Sequence, residues 1–323
     1  MTISNKPNSY SKVRYIRNRN ECLFKCDDTL CGSNGKRKAE KNHLISKSYL
    51  SRIAKNKQVL VFDFENHDYI KAERNLQLRN ISNANTFRVL CGYHDRILFS
   101  EIENGNEFNE DNTKQLFQFA LRSFLFSASE AHISNQVDKY CDNLSNRVAN
   151  AHFHNFMNQL QLYKSFWECQ SWDEIEHTVI RLNRKCHFMS CYYGVPFISW
   201  KFPPRFCPSK ISFNIFPEQD QTIILLSFLK RDPFANTARR FCQDMLFMSL
   251  NNEEKFIQYI NKLIITFDHN IVISPEYWDI KTDLERNKFY KLAHIFPKNK
   301  SMLRGLAILI RLHFLKFDFS LIT

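Results

Sequence analysis

Cys22, Cys26 and Cys31 fall within ten residues of one polar stretch, and further along the chain Cys91 and His94 stand two residues apart. A structural zinc ion takes four sulfur or nitrogen donors in a tetrahedron, usually as two close pairs supplied by turns. Cys22 and Cys26 form one such pair, with Cys31 as a substitute for either, and Cys91 and His94 form the other. A thiol packs best in an apolar core, so three of them in a polar loop speak for metal rather than for burial. Between the pairs lies His43, in the run Lys41-Asn42-His43-Leu44-Ile45-Ser46-Lys47-Ser48. A histidine in that setting can be a ligand, a satisfied polar residue or a general base.

The charge points to a partner for this segment. The whole chain carries a net +12, and residues 1–60 hold 14 Lys and Arg against four acidic residues, leaving 31 basic and 29 acidic residues for the other 263. Charge placed for solubility would be spread out; a local excess marks a surface for a polyanion. Arg14, Arg17, Arg19, Lys36, Arg37, Lys38, Lys41 and Lys47 are the expected contacts to nucleic acid, DNA or RNA. Tyr10, Tyr15, Phe24 and Tyr49 lie among them and could stack on unpaired bases. Anionic lipid attracts the same lysines, but no basic amphipathic helix is evident here, which favours nucleic acid over a membrane.

Other classes find little support. Only six glycines occur in 323 residues, and neither GxGxxG nor GxxxxGK[ST] is present, so no phosphate-cradling loop of those kinds exists. The N-terminal residues lack an apolar core, and the apolar run Leu306–Ile310 is too short to span a bilayer. Ten cysteines without a secretory leader predict reduced thiols in the cytoplasm.

The elements that must position these residues are read as α+β. Residues 1–20 form a basic arm, and residues 21–107 a zinc-binding module. A helical hairpin or bundle follows over 108–185, then a C-terminal mixed domain over 186–323. Within the module a short helix is expected from Ser46 to Lys57, a strand over Gln58–Phe64 and loop over 66–85. A helix should begin at His94 and Asp95, since Ile97, Leu98, Phe99 and Ile102 recur at helical spacing. Ser171-Trp172-Asp173-Glu174 has the form of a capping box, predicting a helix through Asn183. Strands are expected over 187–202, 211–216, 222–229 and 312–321, and helices over 235–250, 252–266 and 276–293.

A cysteine pair, a polar-His-aliphatic stretch ending in Ser-Lys-Ser, and a Cys-x2-His opening a helix together resemble the HNH (His-Me finger) nuclease module in its zinc-knuckle form, over about residues 20–104. The resemblance implies a ββα-metal, treble-clef-like fold braced by zinc, with His43 activating water. It also implies that Asp95 is a ligand to a catalytic Mg²⁺ or Mn²⁺ ion, and it places Asn42 where that family carries an acidic or histidine residue. The expected function is therefore metal-dependent phosphodiester hydrolysis, or nucleic-acid binding and regulation without chemistry on the same scaffold. Arg147 and His152 in a predicted helix also fit the Arg-x4–6-His pattern of HEPN ribonucleases, but Arg37, Arg88 and Arg181 each satisfy it as well. Cys186, His187, Cys191 and Cys207 could make a second metal site, although their apolar neighbours favour buried thiols.

Overall fold

The computed structural model describes residues 21–24, 39–62, 76–103, 105–141, 146–198, 205–267, 270–293 and 320–322, with the side chains at 134, 137–141, 146–152, 197–198, 205–206, 266–267 and 292 outside that description. In chain order come β1 (Lys41–His43), α1 (Lys47–Ser51), β2 (Gln58–Phe62), β3 (Leu76–Asn80), β4 (Thr86–Arg88) and α2 (Gly92–Leu98). Two long helices follow, α3 (Thr113–Cys141) and α4 (Asn146–Glu168), and then β5 (Ile175–Leu182), β6 (Phe188–Gly194), β7 (Phe197–Ile198), β8 (Arg205–Phe206), β9 (Ile211–Glu218) and β10 (Gln221–Leu229). The described chain ends with α5 (Ala235–Asn251), α6 (Glu253–Phe267), β11 (Val272–Ile273), α7 (Pro275–Asp279) and α8 (Asp283–Ala293). The mixture of helix and sheet is that of an α+β chain. No described helix is long and apolar enough to cross a membrane.

The chain divides into two compact units, neither of them continuous in sequence. Unit 1 comprises Met1–Leu44, Thr86–Ser100 and Phe124–Trp172; unit 2 comprises Ile45–Asn85, Glu101–Ser123 and Asp173–Thr323. In unit 2 a seven-stranded antiparallel sheet runs in the order β3-β2-β11-β6-β9-β10-β5. One face carries Phe188, Phe213, Ile215, Ile224, Leu226 and Phe228 into a core shared with Phe241 and Met245 of α5 and Phe256, Ile260 and Ile264 of α6. These helix residues repeat at four positions and the strand residues at two, so each element turns one apolar face inward. Tyr49, Phe119 and Phe216 form a further aromatic cluster in this unit.

Several expectations are corrected here. The helix predicted from Ser171 through Asn183 is a 3-10 turn at Trp172–Glu174 followed by strand β5, whose residues pair with β10 from Ile175 opposite Leu229 to Leu182 opposite Thr222. The β-branched run Thr178-Val179-Ile180 suits the pleat, and an eight-residue ladder outweighs a local capping signal. The stretch 66–85, expected to be mostly loop, includes β3 in its described part, paired with β2 along its whole length. The helix begun at Ser46 ends at Ser51, and beyond it Asn56 and Lys57 adopt left-handed backbone (φ 51° and 59°) where the chain turns into β2. The helix expected over 276–293 is two, α7 and α8. The strand predicted over 312–321 lies outside the described residues but for its last two positions.

Candidate metal centre

In unit 1 the path to the site begins on a short ribbon. β1 and β4 are antiparallel, with Lys41 opposite Arg88, Asn42 opposite Phe87 and His43 opposite Thr86. Beyond β4 the chain runs through Val89 and Leu90, and all four of their backbone groups are bonded. Leu23 N–H donates to the Val89 carbonyl and Glu40 N–H to the Leu90 carbonyl, both at 2.8 Å. The amides of Val89 and Leu90 donate to Asn42 Oδ1 at 3.2 and 2.9 Å. Both residues are fully buried, where an unbonded peptide group would be costly. The same bonds fix the segment that delivers Cys91 and tie it to the turn carrying Cys22.

Cys91 caps α2, its carbonyl accepting from the Asp95 amide at 3.0 Å, which brings His94 round on the first turn. His94 Nδ1 lies 3.2 Å from Cys91 Sγ and 3.3 Å from Cys22 Sγ. All three donor atoms fall within 4.8 Å of one another and all three side chains are buried, His94 completely. Among the described residues this is the one group of three or more His, Cys, Asp or Glu so placed. Burial, with a smaller contribution from Lys164, holds the His94 imidazole below its usual pKa, a shift toward the neutral form that ligates a metal. Phe24 and Tyr93 wall the imidazole, their ring centroids 6.1 and 5.2 Å away. Two thiols and an imidazole nitrogen gathered in a water-poor pocket fit a zinc ion, with Cys22, Cys91 and His94 as three of its ligands. Cys26 and Cys31 lie outside the described residues.

The other expected site residues fall as follows. His43 closes β1 and is half-buried, and Asp95 sits beside His94 in the first turn of α2. Asn42, expected beside the catalytic base, is 1% exposed, and its oxygen is occupied by the two backbone amides. Lys41 and Lys47 are exposed, while Arg14, Arg17, Arg19, Lys36, Arg37 and Lys38 lie outside the described residues. Phe24 and Tyr49 are buried and do not offer faces to bases, which corrects that expectation; Tyr10 and Tyr15 are not among the described residues. Arg147 and His152 are on α4, their side chains outside the description.

Cys186, His187, Cys191 and Cys207 make no such cluster. Burial pushes the Cys186 thiol up to about 12, Cys191 Sγ lies 3.1 Å from Ser123 Oγ, and the His187 ring stacks on Tyr277 at 4.5 Å. Arg88, named from the sequence only as one of several arginines fitting the Arg-x4–6-His pattern, stands on the ribbon opposite Lys41, a placement that only the register reveals. No family model, curated protein or solved structure matches the chain.

Proposed function

We propose that unit 1 is a zinc-stapled module that binds nucleic acid and hydrolyses its phosphodiester backbone at His43. The observation that carries this reading is the gathering of Cys22, Cys91 and His94 at the end of a strand-strand-helix path, β1 to β4 to α2, on which His43 and Asp95 also lie. Zinc would brace this path. His43, at the end of β1, would accept a proton from water as the water oxygen bonds to phosphorus and the ester oxygen leaves. A Mg²⁺ or Mn²⁺ ion held by Asp95 would neutralise the charge developing on the phosphate. The HNH-like pattern of residues 20–104 and the +10 net charge of residues 1–60 support the same substrate class.

One observation favours a second reading, in which the module binds nucleic acid without cutting it. The Asn42 oxygen is spent on two backbone amides, so the position beside His43 braces the fold. Metal content and nuclease assays on DNA and RNA, with and without Mg²⁺ or Mn²⁺, separate the two. Catalysis requires that His43→Ala abolish cleavage while zinc content stays intact. Cleavage that survives in His43→Ala removes the mechanism, and salt-dependent binding with no products in wild type establishes the second reading.

A further inference from the structure

The sulfurs of Cys22 and Cys91 converge on one atom. They lie 3.3 and 3.2 Å from His94 Nδ1 and within 4.8 Å of each other. Backbone bonds hold both cysteines in place. Leu23, next to Cys22, donates its amide to the carbonyl of Val89, two residues before Cys91, and the Cys91 carbonyl accepts from the Asp95 amide. Two thiols at that separation can be joined in either of two ways, through a metal ion or directly. A disulfide needs the sulfurs about 2.05 Å apart, so the gap left to close is at most about 2.8 Å. A change between staggered χ1 rotamers moves a cysteine sulfur by about 3 Å. The two joined states exclude each other, because a sulfur in a disulfide is no longer the thiolate that binds metal. Losing both sulfurs would leave His94 alone of the three clustered donors.

The surroundings favour reaction here over reaction in unit 2. Cys91 is 7% exposed and Cys22 1%, so Cys91 is the more open of the pair to a small oxidant. In unit 2, burial pushes the Cys186 thiol up to about 12 and raises Cys242 as well, which withholds the nucleophilic thiolate at both. We propose that Cys22 and Cys91 form a peroxide-sensitive switch that exchanges a bound metal ion for a Cys22–Cys91 disulfide. This rests on the reading of Cys22, Cys91 and His94 as a metal centre and adds the regulation of that centre. The Cys91 thiolate attacks one oxygen of hydrogen peroxide and the O–O bond breaks. Hydroxide leaves and takes up the proton the thiol had lost, and Cys91 becomes a sulfenic acid. The Cys22 thiol then attacks that sulfur, forming the S–S bond, and the S–O bond breaks to release water. Two thiols are oxidised, one peroxide is reduced and two waters form. A dithiol reductant reverses the step by exchange and restores both ligands. The oxidised chain gives up the metal but keeps Cys22 tied to the start of α2.

The test uses the full-length protein loaded with zinc and carrying Cys169→Ser, which removes an exposed thiol from outside the cluster. After treatment with a small molar excess of hydrogen peroxide, zinc release is followed with a chromogenic chelator. Disulfides are mapped by mass spectrometry of unreduced peptides. The expected result is loss of about one zinc ion and two thiols per chain, with Cys22 linked to Cys91. Dithiothreitol followed by zinc should restore both. Zinc retained, with Cys22 and Cys91 still reduced after other thiols have reacted, overturns the switch and leaves the metal centre standing. A bridge from Cys22 to Cys26 or Cys31, or Cys91 carried on to sulfinic acid without a bridge, overturns the pairing. A protein that takes up no zinc overturns the switch and the metal reading together.

Discussion

The two units hold themselves together by different means. Unit 2 has a seven-stranded sheet with ladders of up to eight residue pairs, and a core of fully buried Phe188, Phe213, Phe228, Phe241 and Phe256. Around Cys91, unit 1 has three-residue strands and a seven-residue helix. Its interior there mixes apolar residues such as Val89, Leu90, Leu98 and Phe99 with Asn42, His94 and two buried thiols. Elements that short bury too little apolar surface to stand alone, so they call for a staple. The difference teaches where chemistry can be placed. In unit 1 backbone hydrogen bonds position two thiols and an imidazole as a candidate metal centre, whereas the core of unit 2 is built from apolar side chains.

The sharpest way to break this contrast is to disable the candidate metal centre. Structural zinc in small domains contributes on the order of 10–16 kcal/mol, comparable to the whole stability of a typical domain at about 5–15 kcal/mol. Chelation, or Cys91→Ser, should therefore strip hydrogen-exchange protection from the amides of Leu23, Glu40, Val89 and Leu90. The amides of β9 and β10 should keep theirs. Equal loss in both units, or no loss in either, would show that the two are not held by different forces.

Asn42 sharpens the comparison at a single residue. Removing its side chain leaves two buried amides, Val89 and Leu90, without an acceptor. At about 1–3 kcal/mol for each unsatisfied group, Asn42→Ala should cost about 2–6 kcal/mol, read as a lower denaturant midpoint for unit 1 in the zinc-loaded protein. Asn42→Asp, which keeps an oxygen in place, should recover part of it. A loss below about 0.5 kcal/mol, the level of an ordinary surface change, would mean that the Val89–Leu90 segment is held without Asn42.

What could be read from the sequence follows the same division. Cys22, Cys91 and His94 stood out as ligands because donor type and spacing are local properties, and the α2 start was legible from the apolar repeat after His94. The role of Asn42 was not, since an asparagine serving backbone 47 and 48 residues away is visible only once β1 and β4 are paired. The opposition of Lys41 and Arg88 was hidden for the same reason, as residues 45–85, between the two strands, belong to the other unit. In unit 2 the capping signature at Ser171–Glu174 misled because a strand's pairing is settled by partners far along the chain. Val272 and Ile273 of β11, for example, insert between β2 and β6.

The smallest effect tests whether unit 2 is as free of polar dependence as its core suggests. His177 of β5 stands opposite Ser227 of β10, with Nδ1 in a 2.8 Å hydrogen bond to Ser227 Oγ. Its Nε2 is shielded from solvent and has no hydrogen-bond partner among the described residues. Burial, and to a lesser degree the charge of Lys230, lowers its pKa from 6.5 to about 3. The folded chain thus keeps the imidazole neutral where the unfolded chain would protonate it. Between pH 6.5 and about 3 the unfolded state binds more protons, so stability falls as pH is lowered through that window and is fully present above it. From pH 6.5 to 5.5 the expected loss is about 1 kcal/mol. It should be read from the exchange of β9 and β10 amides, so that metal release in unit 1 does not enter. His177→Gln offers Ser227 a hydrogen-bond partner without a titrating group, and should flatten the pH dependence over this interval. If wild type and variant lose stability in parallel, the acid sensitivity of the sheet comes from elsewhere, and the polar group at its edge strand is not what limits it.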